Sequence, residues 1–151
     1  MTALSDNTEL NLSTDRLYRF GGIARLYGVP ALEVFGKSHV AVIGIGGVGS
    51  WAAEALVRSG IGAITLFDLD DICVSNVNRQ IHALNSSVGQ MKTEAMAARL
   101  KDINPEVQVN AVHTFITPKN LEKYIGPQFN YVFDATDSVP AKTALIAYCS
   151  R

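Results

Sequence analysis

Cysteine is scarce in this chain, with Cys73 and Cys149 far apart and no CxxC pair among 151 residues. That excludes a cysteine-built zinc site or a dithiol redox motif in this stretch. So low a thiol count fits a reducing cytoplasm. Charge of one sign is also missing. Thirteen Lys and Arg against 14 Asp and Glu leave a formal net charge of −1. Nucleic-acid binding therefore cannot be argued from bulk charge, although a local basic patch fits inside a neutral total. No apolar run approaches the roughly 20 residues that span a bilayer. Residues 1–13 are polar and lack the apolar core of a secretion signal. They read as a disordered leader before a domain covering 14–151. Repeats and low-complexity linkers are absent.

What is present is an ordinary globular composition, 48% hydrophobic and 18% charged, in a length that suits one domain with a proper core. Thr14 and Asp15 can cap a helix carrying Leu17 to Phe20, which Gly21 and Gly22 should weaken or break. A short helix is expected over 31–35. The β-branched run 39–44 reads as a buried strand. A helix over 50–59 follows, with Trp51, Ala55 and Leu56 inward and Gly60 ending it. Strands are expected at 64–68, 107–112 and 131–135. Helices are expected at 88–104, stopped by Pro105, at 118–125 with Pro at its first turn, and from 140 to 148. Strands alternating with helices imply an α/β, Rossmann-like, doubly wound and mostly parallel sheet with helices on both faces. The next strand of the alternation does not arrive, which suggests a domain truncated before a substrate-facing half.

Four motifs carry chemistry. Gly44-Ile45-Gly46-Gly47-Val48-Gly49 lies between a strand and a helix. Its glycines permit a tight turn and bring backbone amides close to phosphate oxygens at a helix N-terminus. Asp68 and Asp70 stand about 20 residues beyond Gly49, where this kind of fold places a ribose-binding carboxylate. One of the two could instead cap a turn. The polar loop Asp71 to Gln80 is unlike the quick return to a helix in NAD enzymes. It carries Arg79, and Lys92 opens the next helix. Together they could clamp a triphosphate, Arg79 by its planar fork and Lys92 as a point charge. Finally, Asp134-Ala135-Thr136-Asp137-Ser138 ends a strand, where ligands gather in open α/β sheets. Asp137 could hold Mg²⁺ against phosphate oxygens or cap the helix at Pro140.

Other reactive side chains carry less. His82 follows the Arg79 loop and reads as a structural histidine more than a site residue. Cys73 has no base at triad-like spacing and reads as inert. Cys149 falls on the apolar face of a helix and reads as core. A NAD- or FAD-binding oxidoreductase and a non-catalytic nucleotide-binding module stay open as readings of the residues alone.

The stretches GIGGVGSWAAEALVRSGIGAITLFDLDDICVSNVNRQIHAL, VGQMKTEAMAARLKDINP and YVFDATDSVPAKTALIAYC resemble the signature regions of ThiF, MoeB and the ubiquitin-activating enzymes. The likeness covers roughly residues 16–151. RFGGIARLYG, GSWAAEAL and NRQIHAL are similar to the branch that dehydrates threonylcarbamoyladenosine in tRNA. The resemblance implies ATP and Mg²⁺ as cofactors. It implies that Gly44, Gly46, Gly47 and Gly49 line the phosphates and that Asp70, with Asp68 beside it, serves the ribose. Asn76, Arg79, Gln80 and Lys92 would hold the nucleotide, with Arg79 and Lys92 catalytic. Asp137 would bind metal or take part in catalysis. Arg19 would be lent to a neighbouring subunit's nucleotide, which implies a homodimer. The substrate would be tRNA; the alternative is a ubiquitin-like sulfur-carrier protein activated at its C-terminus. The dehydration route needs no catalytic cysteine.

Overall fold

The computed structural model describes residues 13–150. The expected leader falls on residues 1–12, outside the described residues, whereas Ser13 caps the first helix. Its side chain accepts from the Arg16 N–H at 3.2 Å. The elements follow in the order α1 (Thr14–Tyr27), α2 (Val29–Lys37), β1 (His39–Ile43), α3 (Gly49–Arg58), β2 (Ala63–Asp68), α4 (Lys92–Ile103), β3 (Gln108–His113), α5 (Leu121–Tyr124), β4 (Tyr131–Asp134) and α6 (Val139–Cys149).

The sheet is parallel throughout, in the order β3-β2-β1-β4. From β1 the chain steps outward to β2 and β3, then returns to the other side of β1 for β4. Strand order therefore reverses at β1, and the crevice beyond the carboxyl ends of β1 and β4 is where this topology opens for ligands. Alternation along the strands sends side chains to two cores. Val40, Val42, Ile64 and Leu66 meet Ala53 and Val57 of α3 and Met96 and Leu100 of α4. Ala41, Ile43 and Phe67 face Leu121 of α5 and Leu145 of α6 on the opposite side. Helices thus cover both faces, as the apolar strand runs predict.

Several expectations need correction. Gly21 and Gly22 weaken α1, as expected, without ending it: Phe20, just before them, has non-helical backbone angles (φ −116°, ψ 16°), and the helix resumes beyond this kink to Tyr27. Arg16 anchors its first half, donating from its buried guanidinium to the carbonyls of Leu32 and Gly60 and lying over the Phe20 ring. On α3 the inward residues are Ala53 and Val57, with Glu54 buried between Arg58 and Arg99. Trp51 and Ala55 face out and Leu56 is half-buried. Helix α4 begins at Lys92 rather than at 88. Gly89 has φ +86° and Met91 makes an antiparallel bridge to Asp71, so the intervening backbone is tied to the loop. The helix near Pro118 shrinks to Leu121–Tyr124, because the Asn120 side chain organises a turn with Thr117 and Phe115. Cys149 is exposed, not core, and Cys73 is exposed as well.

Candidate functional site

A cleft of about 960 Å³ opens beyond the carboxyl ends of the strands, a size that suits a small-molecule site. The glycine loop between β1 and α3 forms its floor. Gly44 has φ +86°, and a Cβ there would come within 2.9 Å of the Ala135 carbonyl oxygen, so the first glycine serves both the turn and the approach of the loop after β4. Gly46 and Gly47 line the cleft; Gly49 does not. A Cβ on Gly49 would fall on the Gly44 carbonyl and 3.2 Å from the Ala135 Cβ. Its absence lets α3 pack against the end of β1. Among the described residues, no protein group accepts from the N–H groups of Gly46, Gly47 or Val48. These donors sit at the N-terminus of a 10-residue helix, where the helix dipole favours an anion.

The two acids after β2 play different parts. Asp68 is 5% exposed. One of its oxygens accepts from the Ile45 N–H at 2.7 Å, the other from the Asp70 N–H at 2.9 Å. It therefore ties the glycine loop to β2 and closes a turn, its side chain reaching the cleft wall with both oxygens engaged. Asp70 is the open carboxylate, its side chain 55% exposed, and it pairs with Lys92 at 2.9 Å. Lys92 is buried and is the first residue of α4. A cation there opposes the helix dipole, and Asp70 offsets that cost. In this state Asp70 and Lys92 engage each other.

Asn76, Arg79 and Gln80 all reach the cleft. Asn76 is buried and accepts from the Cys73 N–H at 2.9 Å, which fixes the start of the loop. The Arg79 guanidinium donates to the Ser75 carbonyl and the Asn78 side chain, its stem beside Gly47. The Trp51 indole N–H, from α3, donates to the Arg79 carbonyl at 3.0 Å. Gln80 is 6% exposed, and its Oε1 has no partner among the described residues.

The loop after β4 supplies the facing wall, Ala135 to Ser138. Asp134 is held by Lys142 at 2.7 Å and accepts from the Thr136 N–H. Ser138, not Asp137, caps α6, accepting from the Ala141 N–H. Asp137 thereby loses its capping role and is left facing the cleft, with no donor to its carboxylate among the described residues. No group of three or more His, Cys, Asp or Glu able to hold a metal occurs among them. A lone carboxylate beside a phosphate cradle still fits Mg²⁺, which commonly takes one or two carboxylates plus phosphate oxygens.

Arg19 lies elsewhere. It pairs with Asp15 at 3.2 Å and donates to the carbonyl of Ile103, at the far end of α4 from Lys92. It does not reach the cleft of its own chain. The sequence reading missed Phe115, Ile116 and Thr117, which close the cleft beyond β3; their place at a strand's carboxyl end was the signal. His82 is 2% exposed, with Nε2 2.8 Å from the Ile45 carbonyl oxygen. Burial lowers its pKa below the ordinary histidine value, the nearby Lys92 charge adding to the effect.

A glycine loop with unengaged N–H groups among the described residues, an open acid after β2 and a polar loop carrying Arg79 surround one switch-point crevice of a parallel α/β domain. The chain matches the ThiF family over residues 21–151 and belongs to it. It is 61% identical over 133 residues to tRNA threonylcarbamoyladenosine dehydratase of Escherichia coli, covering 88% of this chain and 50% of that protein. It is 31% identical over 140 residues to the molybdopterin-synthase adenylyltransferase of the same organism, covering 91% and 56%. The crystal structure of E. coli tRNA N6-threonylcarbamoyladenosine dehydratase in complex with ATP superposes with a TM-score of 0.90 at 59% identity, over 92% of this chain and 57% of that one. The chain thus spans about half the length of the relatives it matches.

Proposed function

We propose that this chain forms the ATP-binding part of an enzyme that activates the threonylcarbamoyl carboxylate on a tRNA adenosine and closes it into a ring with loss of water. The observation that carries the nucleotide assignment is the run of unpartnered N–H groups from Gly46 to Val48, set against Arg79, Lys92 and Asp137 in one cleft. The 61% identity to a tRNA threonylcarbamoyladenosine dehydratase supports the substrate.

A carboxylate resists attack because its charge is delocalised and oxide is a poor leaving group. A carboxylate oxygen attacks a phosphorus of ATP and displaces pyrophosphate (attack at the α position) or ADP (attack at the γ position), so that this oxygen later departs on AMP or phosphate. The Gly46 to Val48 amides receive phosphate oxygens, and Asp70 turns to the ribose hydroxyls. Lys92, released from Asp70, and Arg79 offset the charge that develops on the transferred group. Asp137 would hold Mg²⁺, which would supply further charge neutralisation on the transferred group. A nitrogen of the same modification then attacks the activated carbonyl, and proximity supplies much of the rate. Cys73 has no part in this scheme.

No described helix is long and apolar enough to cross a membrane; action on tRNA places the protein in the cytoplasm in this reading. Arg19, remote from its own cleft, is assigned to a neighbouring copy's nucleotide in a homodimer. A second reading, activation of a ubiquitin-like carrier's C-terminus, is favoured by the likeness to the molybdopterin-synthase adenylyltransferase at about half the identity.

The test incubates the protein with ATP, Mg²⁺ and tRNA bearing threonylcarbamoyladenosine, then weighs the digested nucleosides. Loss of one water that depends on ATP is the expected result. An unchanged nucleoside, with ATP consumed only when a carrier protein is added, moves the assignment to the second reading.

A further inference from the structure

The structure assigns His82 as a positioning residue that holds the Ile45–Gly46 peptide with its N–H directed at the cleft, and so sets nucleotide affinity; this rests on the ATP-site reading above. A carbonyl oxygen can only accept, so the 2.8 Å contact between His82 Nε2 and the Ile45 oxygen requires the proton on Nε2. His82 is almost wholly buried, and its Nδ1 has no partner, which suits a bare acceptor on a neutral ring. Burial favours the same neutral form.

The consequence follows from the planar peptide. Carbonyl and N–H of one peptide unit point in opposite directions. Holding the Ile45 oxygen toward His82 aims the Gly46 N–H away from it, to the side where Gly46 lines the cleft. The preceding peptide is fixed as well, because the Ile45 N–H donates to Asp68 at 2.7 Å. Ile45 itself is fully buried in the α3–α4 core. Gly46 has no side chain to resist rotation of the peptide before it. Were that peptide to turn over, a carbonyl oxygen would face the phosphates in place of a donor. His82 is the group that opposes this rotation. Ser87 fixes His82 in turn, its hydroxyl donating to the His82 carbonyl at 2.6 Å.

The experiment measures ATP binding, with Mg²⁺ present, by calorimetry on the unmodified chain, on H82L and on H82Q. Glutamine carries an amide donor about as far out as Nε2; leucine has none. Loss of one such hydrogen bond weakens ATP about tenfold or more in H82L, and H82Q recovers most of it. Equal affinity in H82L and the unmodified chain, with both folded by circular dichroism, overturns the inference. Should H82L fail to fold, nitrogen-15 spectra of the unmodified imidazole decide. A protonated Nε2 with a bare Nδ1 supports the assignment, and the opposite tautomer refutes it. If the unmodified chain itself does not bind ATP, the nucleotide reading fails, a result distinct from unmoved affinity in H82L.

Discussion

Alanine at position 49 is expected to damage the fold, while alanine at position 46 is not, although both are glycines of one loop. A Cβ on Gly49 would overlap the Gly44 carbonyl, lie 2.9 Å from its carbon and 3.2 Å from the Ala135 Cβ. Neither side can yield easily. The Gly44 N–H is tied to Phe67 at 2.8 Å and the Ala135 N–H to Ile43 at 2.9 Å, while α3 is wedged in place by Ala53 and Val57, both fully buried. Overpacking of this kind costs about 1–3 kcal/mol, and with backbone on the receiving side the upper end applies. At about 2–4 °C per kcal/mol for a chain of this size, the midpoint of thermal unfolding should fall by about 6–12 °C. At Gly46 the nearest atom to a Cβ is the Gln80 amide nitrogen at 3.8 Å, an ordinary contact, and φ is not positive. G46A should therefore melt within about 2 °C of the unmodified chain, a surface-like perturbation. Circular dichroism melts of the three proteins decide the matter. Equal midpoints for G49A and the unmodified chain would refute the packing role of the third glycine.

R79A should lower turnover by roughly two to three orders of magnitude, as loss of one electrostatic stabiliser does. Its melting point should hardly change, because the side chain is exposed and Trp51 bonds only the Arg79 backbone; near-normal turnover in the dehydration assay would remove Arg79 from the clamp. E54L should destabilise by about 1–2 kcal/mol in urea denaturation, the cost of stranding Arg99 and Arg58 being moderated by their own exposure; an unchanged midpoint would show the cluster to be neutral. Stability should fall on acidification below about pH 6.5, the ordinary value for histidine. His82 and His39 both have lowered pKa values from burial, so in this window the unfolded chain binds protons that the fold does not. Their contribution is complete above that value and is lost as pH falls toward their folded-state pKa values. H82Q should show a shallower dependence in denaturation series at graded pH; an identical slope would assign the effect to other groups.

The alternation of elements and the parallel sheet were legible because buried parallel strands and glycine turns are written locally. Helix ends were less so. Residues 88–91 read as part of the following helix, yet Gly89 takes φ +86° and the Asp71–Met91 bridge claims their backbone. Gly21 and Gly22 read as weakening or breaking the first helix, and whether it resumes beyond the kink at Phe20 was not written in the local sequence. In the site, the glycine loop, Asp70, Arg79, Lys92 and Asp137 were visible as motifs and share one cleft. That one of Asp68 and Asp70 caps a turn was foreseen, but spacing alone did not say which, since both satisfy it. Only burial and the Ile45 N–H separate them. His82 read as a structural histidine more than a site residue, and the group it holds is a backbone carbonyl, which no residue pattern reveals.

The order β3-β2-β1-β4 bears on how the cleft comes apart. Residues 40–43 of β1 pair on one side with 64–67 and on the other with 131–134. The first pairing closes a short loop, the second a long one, with a larger loss of chain entropy. The segment from β4 through α6, which carries the wall from Ala135 to Ser138, is therefore expected to form last and to open first. Opening there would dismantle the cleft while β1, β2 and β3 stayed together. A ligand spanning the glycine loop and Asp137 would act as a latch across that seam, and it would slow local opening well before it raised resistance to complete unfolding.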